Sequence, residues 1–144
     1  MTQIDFYTRA DDKLATACRL AAKAFQQGLR VLVLTPDAEI TERVDRLLWT
    51  TPSTGFIPHC RNASPLAEVT PVIVDHEAEP LRHDEVLINL RRERPAFFSR
   101  FQRLVEIVSM DETDSQAARE RYRFYQRRGY AIRHHDLSAL RGRA

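Results

Sequence analysis

The sequence predicts a single α/β domain, residues 1–144, built in three layers around a mostly parallel central sheet. Its opening follows the order strand, helix, strand, helix, which is typical of parallel sheets with right-handed crossovers. Residues 30–34 form a nearly continuous apolar run, as expected of a strand buried on both faces. A length of 144 residues without an internal repeat or linker fits one domain.

The first strand and helix have clear local signals. Residues 3–7 alternate polar and apolar side chains, which predicts a strand. Asp11 and Asp12 can cap the helix that follows, and its apolar residues recur at helical spacing. Gly28 then ends the helix, because glycine readily adopts the left-handed conformation found there.

The next segment predicts a second helix and a long loop. After the strand at 30–34, Pro36 and Asp37 suit the first turn of a helix. Residues 50–70 are rich in proline and predict mostly loop. The elements expected after it are a strand at 72–74, a polar turn at 77–84, a strand at 86–90, a helical turn at 95–98, a strand at 103–108, a helix at 112–128 and a strand that begins at 130–132.

Several common site chemistries are missing from the sequence. The four glycines are widely spaced, whereas loops that wrap phosphate need clustered glycines to bring backbone N–H groups together. Cys18 and Cys60 are too few for a disulfide framework and lack metal-site spacing. His59 and Cys60 are adjacent, so their side chains diverge in an extended chain. We therefore expect no catalytic residues, no metal site and no cofactor.

Charge is unevenly distributed along the chain. Residues 119–144 carry eight arginines against Glu120 and Asp136, whereas residues 1–118 are net acidic. This clustering indicates an anionic partner at the C-terminal end. A short basic stripe fits an acidic peptide better than a polynucleotide, although direct binding of single-stranded nucleic acid remains an alternative. A degenerate nucleotide-dependent enzyme is a second alternative.

No membrane segment or secretion signal is expected. The longest apolar runs fall well short of the ~20 residues that span a bilayer. The first residues contain no basic region followed by an apolar stretch. The predicted location is the cytoplasm.

The helix at 112–128 carries the basic stripe. Arg119, Tyr122, Arg123 and Gln126 recur at helical spacing beside the face expected to contact the sheet. Two guanidiniums around a phenol can bind a carboxylate while the ring flanks an apolar group. The same pattern also fits a solvated helix end.

Other residues of that helix have structural roles in this interpretation. The residues expected to face the sheet are Ala117, Ala118, Phe124 and Tyr125. Arg121 and Arg128 point toward the apolar side, where arginine lays its stem on apolar surface or pairs with an acid.

A second candidate surface surrounds Trp49 and Phe56, which bracket a loop of turn-forming residues. Large aromatic residues in such positions are typical anchors of protein interfaces. They can equally cover one end of the core.

Several motifs occur together in a recognisable order. They are Ala17–Leu20 with Gly28–Leu34, Asp45–Trp49 with Phe56–His59, Val86–Leu90, Phe101–Glu106 and Ala118–Tyr125. With these motifs the chain resembles the chi subunits of bacterial DNA polymerase III, accessory proteins of the clamp loader. Three of these motifs, Leu-Trp, Phe-Ile-Pro-His and Arg-Glu-Arg-Tyr, are specific to the family, whereas the apolar strand segments alone are not.

This resemblance implies a non-catalytic adaptor with a Rossmann-like fold that no longer binds a nucleotide. Its implied partners are the psi subunit, as a heterodimer tethered to the clamp loader, and the acidic C-terminal tail of single-stranded-DNA-binding protein, which ends in Phe. Contact with single-stranded DNA would then be indirect.

The resemblance also implies two sites. The tail site maps onto Val108, Arg119, Tyr122 and Arg123, with Gln126 and Arg127 beside them. Ser115 and Gln126 stand where related members carry basic residues, and Arg127 can partly substitute. The psi surface maps onto Trp49, Phe56, Ile57, Pro58 and His59.

Overall fold

A computed structural model describes residues 1–50 and 56–138 of the chain. Within these ranges it forms seven strands, three α-helices and two short 3-10 turns. In chain order they are β1 (Gln3–Ala10), α1 (Lys13–Gln26), β2 (Val31–Leu34), α2 (Ala38–Thr50), β3 (His59–Cys60), a 3-10 turn (Ala67–Val69), β4 (Val72–Asp75), β5 (Val86–Asn89), a 3-10 turn (Phe98–Arg100), β6 (Arg103–Ser109), α3 (Glu112–Arg127) and β7 (Ile132–Asp136). No helix of the described ranges is both long and apolar enough to cross a bilayer.

The strands form one sheet in the order β3–β4–β2–β5–β6–β1–β7, and every neighbouring pair is parallel. Successive side chains of a strand point to opposite faces, and different helices cover the two faces. Val31 and Val33 pack under α1 and α2, whereas Leu32 and Leu34 belong to the apolar layer beneath α3. The predicted three-layer α/β fold is therefore confirmed, and it is Rossmann-like.

The sheet has a topological switch between β1 and β6. These strands lie side by side, with Ile4 paired to Leu104. The helix after β1 covers one face of the sheet, and the helix after β6 covers the other. In open parallel sheets such a reversal leaves a crevice at the carboxyl ends of the strands, where ligands commonly bind.

Helix ends follow the predicted signals with one difference. Gly28 and Gly129 both have positive φ angles and follow the ends of α1 and α3, as expected. Helix α2 begins at Ala38, and Asp37 caps it by accepting a hydrogen bond from the Ile40 N–H at 2.9 Å. Pro36 thus precedes the helix instead of lying in its first turn.

The segment predicted as mostly loop contains an unexpected strand. The two residues of β3 pair with β4 at one edge of the sheet. A strand this short has no measurable alternation, so sequence patterns do not detect it. Residues 51–55 of the same predicted loop lie outside the described residues.

Candidate functional site

Two aspartates fix the start of α3 to the end of β6. Asp111 caps the helix by accepting a hydrogen bond from the Asp114 N–H at 3.1 Å. The Asp114 carboxylate accepts the Ser109 N–H at 2.9 Å and lies 3.0 Å from Lys13 Nζ. Burial alone would raise the pKa of Asp114, but the Ser109 hydrogen bonds and the Lys13 ammonium hold it below the usual value. The Lys13–Asp114 ion pair thus ties the start of α3 to the first turn of α1.

The buried face of α3 differs from the predicted one. Ala118 and Tyr125 face the sheet as expected, whereas Ala117 and Phe124 are only half-buried. Arg121 is buried in their place. Phe124 instead lies under the exposed guanidiniums of Arg94 and Arg128, with centroid distances of 3.5 and 4.8 Å.

A buried carboxylate explains why an arginine enters the core. Glu106 Oε2 accepts a hydrogen bond from the Tyr125 hydroxyl at 2.7 Å, and Oε1 accepts one from Asn89 at 3.0 Å. Arg121 Nε lies 3.2 Å from Oε1, as an ion pair without hydrogen-bond geometry. Burial raises the pKa of Glu106, and Arg121 opposes that rise. The expected pairing of Arg121 with an acid is thus confirmed.

A cavity of about 710 Å³ lies beside this buried face, at the carboxyl ends of β1, β6 and β7. Its floor is apolar because Val108 and the Tyr122 ring line it. The Tyr122 ring packs edge-on against Phe6, with 5.3 Å between centroids. The cavity therefore has the shape and lining to accept an apolar side chain.

Arg119 brings positive charge to this apolar cavity. Its side chain is 60% exposed and lines the cavity from α3. Nη1 lies 3.6 Å from Glu112 Oε1, whose side chain is also largely exposed. Because water screens exposed ion pairs, they contribute little free energy. An incoming carboxylate can therefore replace Glu112 with little loss of free energy.

The structure brings together half of the residues predicted for the tail site. Val108, Arg119 and Tyr122 all line the cavity, and so does the uncharged Ser115. The other three residues are exposed on α3 and do not line it; they are Arg123, Gln126 and Arg127. They continue the basic surface toward the end of the helix.

Sequence patterns did not identify the strand side of the cavity. It comprises Phe6, Thr8 and Arg9 from β1, and His134 from β7. Thr8 Oγ1 and His134 Nε2 form a hydrogen bond of 2.7 Å that joins the two strands. The alternation along β1 places Phe6 and Thr8 on one face, but only the strand order shows that this face adjoins α3.

The second predicted surface has an exposed layer and a buried layer. Trp49 is 58% exposed and Phe56 is 70% exposed, with their ring centroids 5.7 Å apart. Ile57 is buried in the core, whereas Pro58 is half-buried. The His59 side chain is also buried, with its ring 4.7 Å from Trp49. Ile57 and His59 therefore support this surface instead of forming its outer layer.

His59 lies beneath Trp49 and makes two polar contacts there. Its Nδ1–H donates a hydrogen bond to the Ile57 carbonyl at 2.7 Å, and Nε2 lies 3.1 Å from Asp45 Oδ1. These contacts orient the imidazole, which packs at a tilt against the indole ring of Trp49.

The cysteine and histidine side chains outside the cavity lie in surroundings that do not favour catalysis or metal binding. Burial raises the pKa of the Cys18 thiol to about 12, so it stays protonated near neutral pH. His59 and Cys60 are successive residues of β3 and project to opposite faces. Within residues 1–50 and 56–138, no three His, Cys, Asp or Glu side chains are grouped to hold a metal ion.

Comparison with known proteins identifies the family. The profile described as "DNA polymerase III chi subunit, HolC" matches residues 1–133. The chain belongs to this family. It is 39% identical to the DNA polymerase III subunit chi of Pseudomonas aeruginosa, over 97% of this chain and all of the relative. The subunit chi of Escherichia coli is 30% identical, over 80% of this chain and 79% of its own length.

As a member of the chi family, the chain is an accessory subunit of DNA polymerase III with a role in DNA replication. The resemblance inferred from its motifs is confirmed. Membership is consistent with a subunit that performs no catalysis. The family match covers the β1, β6 and α3 residues of the cavity and the Trp49 surface, and it ends before His134.

Proposed function

We propose that this chi-family protein is an adaptor with two binding surfaces. The cavity beside α3 binds the acidic, Phe-ended C-terminal tail of single-stranded-DNA-binding protein. The surface around Trp49 and Phe56 binds the psi subunit, which tethers the protein to the clamp loader. The observation that supports the first assignment best is an apolar cavity, lined by Val108 and Tyr122, with the Arg119 guanidinium on its helical wall.

The cavity matches the chemistry of such a tail. The terminal Phe ring enters the apolar part against Tyr122, and its carboxylate pairs with Arg119. Acidic residues upstream face Arg123 and Arg127, which lie one and two turns farther along α3. These arginine side chains are exposed, so an incoming peptide can reach each of them.

The expected affinity is modest. Burial of the Phe side chain contributes about 2 kcal/mol, and each charge-assisted hydrogen bond contributes about 1.5–3 kcal/mol. Association entropy and peptide ordering offset much of this gain, which leaves a dissociation constant on the order of micromolar. Several tails on one DNA-binding oligomer then raise the effective concentration and hold the polymerase at coated template.

The proposed psi surface rests on a pair of exposed aromatic rings. Trp49 and Phe56 contact each other and leave most of their area in water. Exposed aromatic pairs on a rigid support are common centres of protein interfaces. The buried His59 and Ile57 provide that support.

A pull-down tests the tail assignment. Full-length single-stranded-DNA-binding protein should be retained by the immobilised chain, whereas a version without its last few residues should not. Calorimetry with the tail peptide should show binding to the parent and none to Arg119→Ala. Arg43→Ala is the matched control, because Arg43 is exposed on α2, across the sheet from α3. Unchanged affinity in Arg119→Ala would refute the site.

A further inference from the structure

An arginine with an unusual backbone conformation lies at the end of β1. Arg9 has a φ angle of +58°, in the left-handed region that residues other than Gly, Asn and Asp rarely adopt. The register between β1 and β6 is irregular between Tyr7 and Ala10, so Arg9 occupies a bulge. Bulges of this kind re-aim side chains, and left-handed residues persist where the surroundings hold them.

The bulge directs Arg9 to the cavity beside α3. Its side chain is 65% exposed and lines that cavity. Arg9 Nη1 lies 3.9 Å from Asp136 Oδ2 and 3.5 Å from Ser138 Oγ. The Asp136 carboxylate is itself bonded to the Ser138 N–H and hydroxyl, at 2.9 and 2.6 Å. These contacts orient the guanidinium from β7 while leaving most of it accessible.

The two walls of the cavity therefore each carry a guanidinium. Arg119 extends from α3, Arg9 extends from the strand side, and the apolar residues Phe6, Val108 and Tyr122 lie on the lining with them. Both guanidiniums take part in exposed ion pairs, Arg119 with Glu112 and Arg9 with Asp136, which water screens. A ligand with two carboxylates separated by an apolar group can therefore compete for both walls, whereas a ligand with one carboxylate can engage only one of them.

We infer that Arg9 is a second carboxylate-binding residue of this site and selects acidic residues upstream of the terminal Phe. The inference rests on the proposed function, in which Arg119 takes the terminal carboxylate. Arg9 discriminates among tails that share a Phe end, because a tail with neutral upstream residues leaves its guanidinium without a new partner.

Peptide binding measured by fluorescence anisotropy tests the inference. Arg9→Asn is a suitable variant because asparagine tolerates the left-handed conformation while the guanidinium is lost. Two dye-labelled peptides are compared, one with acidic residues upstream of Phe and one in which those acids are replaced by amides. Arg9→Asn should lower the affinity for the acidic peptide about 10-fold and leave the affinity for the amide peptide nearly unchanged.

The controls separate a binding role from a structural one. Asp136→Asn removes one internal partner of Arg9 and should leave affinity for the acidic peptide unchanged or higher. If Arg9→Asn weakens both peptides equally and lowers the melting temperature, Arg9 only holds the end of β7 and the inference is overturned.

Arg119→Ala distinguishes failure of the inference from failure of the proposed function. Loss of binding in Arg119→Ala with full affinity in Arg9→Asn overturns the role of Arg9 alone. Full affinity in both variants overturns the tail site, and the inference with it.

Discussion

Arg121 and Glu106 meet inside the protein, with Nε 3.2 Å from Oε1 and side-chain exposures of 3% and 0%. Arg121 Nη1 also donates a hydrogen bond to the Arg92 carbonyl, which ties α3 to the segment after β5. This pair uses one arginine of α3 for the core and leaves Arg119, two residues earlier, at the cavity. One basic helix thus divides its arginines between stability and the proposed binding.

Removal of Arg121 should strongly destabilise the fold. Arg121→Ala leaves the Glu106 carboxylate buried without its cation, so we expect the free energy of unfolding to fall by about 3–5 kcal/mol. Urea unfolding measures this change. Arg119→Ala, which removes an exposed arginine from the same helix, should change it by less than about 0.5 kcal/mol. Equal losses in the two variants would contradict the division of roles.

The Tyr122 ring should matter more than its hydroxyl. Tyr122→Phe keeps the ring that packs on Phe6, so affinity for the tail peptide should remain close to the parent value. Tyr122→Ala opens the floor of the cavity and should weaken binding at least about 10-fold. Calorimetry with both variants checks this prediction. A large loss in Tyr122→Phe would mean that the hydroxyl, not the apolar ring, contacts the peptide.

The Lys13–Asp114 pair should make stability depend on acid pH. The pKa of Asp114 is lowered in the folded protein, so its stabilisation is full above the ordinary value of 3.8 and is lost as pH falls through the folded value. Asp114→Asn should reduce the free energy of unfolding by about 1–3 kcal/mol at pH 7. The free energies of unfolding of parent and variant, measured in urea, should approach each other as pH falls from 3.8 through the lower folded pKa. If the difference in free energy of unfolding between parent and variant stays the same in acid, ionisation of Asp114 is not the cause of the pH dependence.

Trp49 should serve psi binding and not tail binding. Trp49→Ala removes the larger exposed ring of its surface, so the complex with psi should be lost on gel filtration. Tail-peptide affinity should stay unchanged, because α2 covers the face of the sheet opposite α3. Loss of both activities, with a lower melting temperature, would show that Trp49 is structural.

Two other classes of ligand should leave the isolated protein unaffected. We expect a dye-labelled single-stranded oligonucleotide to keep its fluorescence anisotropy when the protein is added. The dye is needed because Trp49, the sole tryptophan of the chain, is on α2, across the sheet from the α3 arginines. ATP should not raise the melting temperature, because the four widely spaced glycines do not form a loop that wraps phosphate. A rise in anisotropy would favour direct nucleic-acid binding, and a raised melting temperature would favour a nucleotide-dependent activity.

The sequence by itself determined most of the secondary structure and one wall of the cavity. Helix periodicity, caps such as Asp12 and glycine stops such as Gly129 act between residues close in the chain, so local patterns reveal them. The same reasoning aligned Arg119 and Tyr122 on one stripe of α3. The parallel sheet followed from the alternation of strands and helices.

Tertiary structure decided the rest, because strand order and burial depend on contacts between distant residues. The strand order places β1 between β6 and β7, which brings Arg9 to the cavity that Arg119 also lines. Helical spacing places Arg121 on the apolar side of α3, between Ala118 and Tyr125, but only the packing of β6 beneath the helix shows that its partner is Glu106. Local periodicity contains no information about which carboxylate a sheet buries beneath a helix.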